Sequence, residues 1–474
     1  MSKTPSIDTL IQTLTLPSGL SLPNRLVKCP MQETCAELPY YDPPIEKFRN
    51  LYGDWADSRY GMLITGQVQV DRRFLSLPGD VCCHEDSLSA PVLAQWKEWA
   101  QVAQQGGTPC VVQIGHPGRM SPAGTGIRPA DMSPLAPSSV PVKMGDTWFD
   151  KLVQDKLLGT PKEMTHAEID EAVANFVRAA RVAHTAGFAG IQLHGAHGFL
   201  ISQFLSPYTN RRTDDYGGTP GRRLRFLQRL IEEIRAVCPP PFCVGVKLNS
   251  GDYMDKAGLT QEEALEQVRW LVDCEMVDFV EISGGIAEST SCKLHDTFGH
   301  YTVTKAPKQE STRLREAFFT EFAEKVQGLR SKVPIQLSGG FRSRNGMADA
   351  IDSGACQLIG LGRTAVLQPS LPKDILLNTA IPDDVALAMP HEVEGMWLAD
   401  MMPSKIVGAG LAGQVFYWNM RRLGSGLSGD PYASISWVLF SDALGALKGT
   451  MSGVSQSILE RLRSLLTWQR EKTD

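Results

Sequence analysis

No two cysteines in this sequence form a C-x-x-C pair. The ten Cys fall at 29, 35, 82, 83, 110, 238, 243, 274, 292 and 356, which argues against a zinc ribbon, a dithiol redox motif or a cysteine-ligated iron–sulfur cluster. A basic excess is also missing. Lys plus Arg number 47 against 52 Asp plus Glu, a net charge of −5, so a nucleic-acid partner is not expected. No stretch approaches the ~20 apolar residues of a membrane span. The first thirty residues are broken by polar residues and Pro, without a signal-like apolar core. The closing EKTD is not a peroxisomal or retention address. These absences set the expectation of a cytoplasmic protein with reduced thiols and no membrane partner.

What is present is ordinary globular material: 474 residues, 42% hydrophobic and 21% charged. Length alone suggests about three domains, but one α/β barrel with insertions reaches the same size. Short β-rich runs alternate with amphipathic stretches. The runs are RLVKCPM (25–31), GMLITG (61–66), CVVQIG (110–115), GIQLHG (190–195), FCVGVKLN (242–249), VDFVEISG (277–284), VPIQLSG (333–339) and CQLIGLG (356–362). Thr165 with Glu168, and Thr260 with Glu263, read as capping boxes opening two of the intervening helices. Eight strands alternating with helices predict a parallel sheet closed into a (β/α)8 TIM barrel over residues 1–371. Residues 372–474 fit no barrel repeat and read as a C-terminal helical extension packed on it, closed by a helix ending WQREKTD. Strand-to-helix connections are long, notably 116–164 and 284–311, whereas helix-to-strand links are short. Surplus chain on one rim of a barrel marks the strand C-termini as the functional face.

Several polar residues stand at those strand ends. Gln113 can donate and accept at once, which suits a flat heterocycle. His194 and His197 can aim two N–H groups at one oxygen, although bare H-x-x-H also suits helix-start histidines. Lys247, in an otherwise apolar strand, needs a partner, either a ligand carbonyl or a barrel carboxylate such as Glu281. The turns SGGF (338–341), with Gly339 and Gly340, and GLGR (360–363), with Gly362 and Arg363, offer bare backbone N–H groups and a guanidinium for a phosphate. GAGLAG (408–413) matches a dinucleotide fingerprint but lacks a preceding strand and room for a nucleotide domain. It reads as the start of the helix carrying QVFYWNMRR.

Through NRLVKCPM (24–31), VQIGHPGR (112–119), HGAHGFLISQFLSPYTNRRTDDYGG (194–218), SGGFRSR (338–344) and IGLGR (359–363), the chain resembles the old yellow enzyme family of FMN-dependent NAD(P)H oxidoreductases over roughly residues 5–375. The resemblance implies FMN in the barrel mouth, NADPH or NADH as reductant, and a small-molecule substrate with an activated alkene. It implies main-chain contacts to the flavin ring around Pro30, Met31 and Gln67. Gln113 and Lys247 would meet the pyrimidine edge, the Gly339–Gly340 turn, Gly362 and Arg363 the phosphate. His194 and His197 would bind the substrate oxygen, beside Phe199. Three positions depart from the family pattern. Phe199 stands where a proton-donating Tyr is usual, leaving Tyr208 or Tyr301 as guesses for that task. Lys247 replaces an Arg, and Gln32 occupies a place where Thr or Cys commonly tunes the flavin. Reduction of an enone-like C=C is the leading expectation. A flavin-dependent dehydrogenase or isomerase, and a non-catalytic flavin-binding scaffold, stay open, as does a homo-oligomer.

Overall fold

Period-two alternation sends one face of each strand inward and the other toward the helices. The structure is a computed structural model that describes residues 6–36, 38–129, 131–252, 254, 258–285, 325, 332–388 and 405–443. Eight parallel strands form the barrel: β1 Leu26–Lys28, β2 Met62–Ile64, β3 Cys110–Gly115, β4 Gly190–Gly195, β5 Cys243–Asn249, β6 Phe279–Ser283, β7 Ile335–Ser338 and β8 Leu358–Leu361. Each pairs with the next, and β8 closes on β1 through Ile359 with Leu26 and Leu361 with Lys28. The expected (β/α)8 barrel is therefore the fold.

Only β3 and β4 span their whole predicted runs; the other six strands are shorter, and β1 and β2 show why. β1 stops before Pro30, which has no N–H to continue the ladder. β2 stops before Gly66, whose N–H turns to the Glu33 carboxylate at 2.7 Å.

The inward floor is apolar and the layer above it polar. Val27, Met62, Val111, Cys243, Phe279 and Leu358 pack with Leu16 and Leu22 of an antiparallel hairpin (Leu14–Thr15 with Ser21–Leu22). Outward residues such as Val112, Ile191, Val246 and Ile282 join the main core under the helices. These helices are α1 Ile45–Ala56, α2 Ala90–Ala103, α3 His166–Ala186, α4 Pro220–Val237, α5 Gln261–Asp273 and α6 Arg344–Asp352. Both expected capping boxes are formed. Thr165 Oγ1 accepts from the Glu168 N–H at 3.2 Å while Glu168 accepts from the Thr165 N–H at 2.8 Å, and Thr260 and Glu263 repeat the exchange. Gly187, at φ 93°, ends α3 in the left-handed conformation that a side chain would strain.

The GAGLAG stretch lies inside one continuous helix, α7 Lys405–Gly424, as its missing nucleotide context predicts. This helix packs on α1, and Asn50 donates to the Gly424 carbonyl at 3.0 Å. The 116–164 connection carries a short helix (Trp148–Val153) and a two-residue parallel bridge. Most of the expected 284–311 loop, Tyr301 and the closing WQREKTD lie outside the described residues.

Candidate active site

The polar layer begins in the middle of the barrel. Glu281 on β6 is fully buried, and its Oε1 lies 2.8 Å from Lys247 Nζ on β5. Its Oε2 accepts from Gln192 Nε2 at 2.7 Å, and Gln192 Oε1 accepts from Gln113 Nε2 at 2.8 Å. A carboxylate only accepts, so it orients both amides in series. The outcome leaves Gln113 with its carbonyl oxygen outside this chain of bonds. Lys247 thus has the barrel carboxylate partner that its apolar strand demanded. Gln192 went unnoticed as a site residue. In IQLH it stands two residues before His194, so strand period alone would have put it on the same inward face.

One step above, at the C-terminal rim, stand the histidines. His194 is buried, and neither ring nitrogen has a hydrogen-bond partner among the described residues. Burial, reinforced by the Lys247 ammonium, holds its pKa well below the usual histidine range, so it is a neutral imidazole. His197 lies beside it, ring centroids 5.2 Å apart, and adopts φ 59°, uncommon for a residue with a side chain. Its N–H donates to Asn249 Oδ1 at 3.1 Å, and its Nε2 sits 2.7 Å from Ser283 Oγ at the end of β6. Phe199 places its ring edge-on to His194 at 4.7 Å between centroids. Asn249 and Ser283 also escaped the sequence reading, since a single Asn or Ser at a strand end carries no pattern of its own.

On the β1–β2 side, Pro30, Met31 and Gln32 follow β1 and Gln67 follows β2, all on the same rim. The Gln67 amide donates to Gln69 Oε1 at 3.2 Å and fills the space a side chain at Gly115 would need. Gln32 Nε2 is engaged by Ser76 Oγ at 2.5 Å and by Asp80 Oδ1 at 3.4 Å. On the opposite side, β7 and β8 end next to each other, Ser338 in register with Gly360. Gly339 and Gly340 follow with φ 103° and 85°, and a Cβ built on Gly339 meets nothing within 4 Å among the described residues. At Gly362 a Cβ would face, among the described residues, Met31 Sδ at 3.7 Å and Cys29 Cβ at 3.9 Å. Arg363 is half-buried directly after it.

The barrel therefore places Gln113 and Lys247 in its inner polar layer, two residues short of their strand ends, and the other predicted site residues at the C-terminal end above them. Orphaned ring nitrogens on His194, amides and an ammonium below, and unobstructed glycine backbone beside a guanidinium suit a flat polar heterocycle with a phosphate tail. FMN fits that donor set.

A profile of the NADH:flavin oxidoreductase / NADH oxidase family matches residues 10–380. The NADH-dependent flavin oxidoreductase iliE of Hypocrea jecorina is 39% identical over 391 residues, 82% of this chain and 94% of that protein. Among solved structures, 2-naphthoyl-CoA reductase in complex with 2-naphthoyl-CoA aligns with a TM-score of 0.66 at 22% identity, over 81% of this chain and 54% of that longer one. The old yellow enzyme homologue from Zymomonas mobilis aligns with a TM-score of 0.60 at 21% identity, over 79% of this chain and 94% of its own. At such identities the two structures speak for the fold.

Proposed function

This chain belongs to the NADH:flavin oxidoreductase / NADH oxidase family and is an FMN-dependent oxidoreductase drawing on NADH or NADPH, and we propose that it reduces the activated C=C of an enone-like small molecule. The observation that carries this reading is the neutral, buried His194 with both ring nitrogens unpartnered among the described residues. Such a group is costly to leave unsatisfied unless a ligand completes it.

Gln113 and Lys247 would hold the ring of FMN, with main-chain groups around Pro30, Met31 and Gln67 against it. Gly339, Gly340, Gly362 and Arg363 would hold its phosphate. When bound, FMN supplies hydride transfer from the nicotinamide cofactor to the substrate's β-carbon.

The chain's own residues do the rest. A neutral His194 donates one N–H to the substrate oxygen and polarises it without giving up the proton, drawing electron density off the alkene. Asn249 holds the His197 backbone and Ser283 its ring beside His194, so His197 would stand next to the same substrate oxygen. Phe199 packs edge-on against the His194 ring and supplies apolar surface beside it. Lys247, paired with Glu281, would hold the pyrimidine edge of the ring and would supply positive charge to offset negative charge there.

Phe199 also favours a second reading, dehydrogenation or isomerisation, because its side chain carries no proton to deliver. Anaerobic stopped-flow separates the two. FMN-loaded protein bleached by NADH or NADPH and then reoxidised by 2-cyclohexenone supports reduction. Bleaching by a saturated ketone, with no reoxidation by a panel of enones, would replace it with dehydrogenation.

A further inference from the structure

Asp80 lies in the connection between β2 and α2 and is 2% exposed. Its Oδ2 accepts from the N–H groups of Ser76 at 3.1 Å and Leu77 at 3.0 Å, from Ser76 Oγ at 2.7 Å and from Gln69 Nε2 at 2.8 Å. Its Oδ1 faces Gln32 Nε2 at 3.4 Å. Ser76 Oγ, also 2.5 Å from Gln32 Nε2 and 2.8 Å from Gln69 Nε2, ties the same three side chains together. Gln69 is itself bridged to Gly115 of β3, so the cluster is fastened to the barrel rim.

The direction of these bonds is forced by the carboxylate. An acceptor at Asp80 turns the NH₂ of Gln69 toward it, which leaves Gln69 Oε1 to receive the NH₂ of Gln67. Gln32 likewise spends its NH₂ on Asp80 and Ser76. The two amides end with the same polarity.

We infer that Asp80 is a positioning residue for the flavin site: directly through Gln32, and through Gln69 to Gln67, it turns two rim carboxamides so that their carbonyl oxygens rather than their N–H groups are left for the mouth. The inference rests on the FMN reading of that mouth. Carbonyl dipoles and a buried carboxylate on one side of the ring oppose its gain of electrons, so this arrangement makes the bound flavin harder to reduce. An N–H donor at the same place would do the reverse. Burial pushes the Asp80 carboxyl up to about 6, which leaves it charged and acceptor-only at pH 7.5.

Asp80→Asn keeps an oxygen for the backbone donors but puts an NH₂ opposite Gln32, whose amide must then flip. The test is an anaerobic redox equilibration of FMN-loaded protein against a reference dye at pH 7.5. The variant is expected to shift the reduced-to-oxidised flavin ratio by about tenfold toward reduced, the order expected for one charge at intermediate dielectric. Gln32→Leu, which removes one of the carbonyls, should shift it the same way, and the double variant should shift it by less than the product of the two. No shift, a shift toward oxidised, or fully multiplicative effects would overturn the inference. If Asp80→Asn does not fold, Gln69→Leu cuts the relay to Gln67 and is held to the same direction. Wild-type protein that takes up no FMN would defeat the functional reading itself, whereas loaded wild type with unshifted variants defeats only the role of Asp80.

Discussion

Replacing Lys247 by Met should destabilise the apoprotein far more than an exposed ion-pair deletion would. Glu281 is 0% exposed, with one oxygen 2.8 Å from Lys247 Nζ and the other receiving Gln192 Nε2 at 2.7 Å. Deleting the ammonium leaves a carboxylate in the barrel interior with a single amide to satisfy it. Breaking a buried pair in this way costs about 3–5 kcal/mol, most of it the uncompensated charge. Removing both charges avoids that term. Lys247→Met combined with Glu281→Gln should therefore recover most of the loss, to within about 1–2 kcal/mol of wild type. Urea unfolding followed by tryptophan fluorescence, with free energies extrapolated to water, measures both. A single variant costing less than about 1 kcal/mol, or a double variant no more stable than the single one, would mean that the pair is not the sealed unit its distances describe.

His194→Ala should weaken binding of phenolic charge-transfer ligands roughly tenfold or more, one lost hydrogen bond in a dry site, while FMN stays bound. Unchanged affinity would remove His194 from its assigned task. Phe199→Tyr should raise turnover of simple enones by placing a hydroxyl beside His194, and a flat or lower rate would mean that protonation is solved elsewhere. Stability against pH has a worked sign. His116, held down to about 4 by burial, is neutral in the fold but protonates first in the unfolded chain, so it adds stability as pH rises from about 4 to 6.5, and His194, held well below the usual histidine range, acts in the same direction. Asp80, raised to about 6, keeps its proton longer in the fold and subtracts stability as pH rises from about 4 to 6. Asp80→Asn should steepen the rise over that window by up to about 1.4 kcal/mol per pH unit. Curves parallel to wild type would contradict it.

The barrel could be read from the sequence because its signals are local: capping boxes at Thr165 and Thr260, short apolar runs alternating with amphipathic stretches, and short helix-to-strand links. Rim position likewise follows from strand ends, which is why His194, Gln113 and Lys247 stood out. The bonds among them did not. Gln113, Gln192 and Glu281 come from three different strands, β3, β4 and β6, and in each the polar residue looks like an isolated interruption of an apolar run. Only closure of the sheet makes them one chain. Asp80 is harder still, because a loop aspartate ordinarily reads as a solvated turn residue, and nothing near it in sequence announces that Gln32 will reach it. The polarity of both amide relays is thus a property of tertiary structure.

The most direct test of the whole account is a titration of apoprotein with FMN followed by flavin fluorescence, together with assay of the flavin released on heat denaturation of the protein as purified. The account predicts one FMN per chain in both, with riboflavin binding markedly weaker because the Gly339–Gly340 turn, Gly362 and Arg363 would lose the phosphate. No released chromophore and no uptake of added FMN would contradict it.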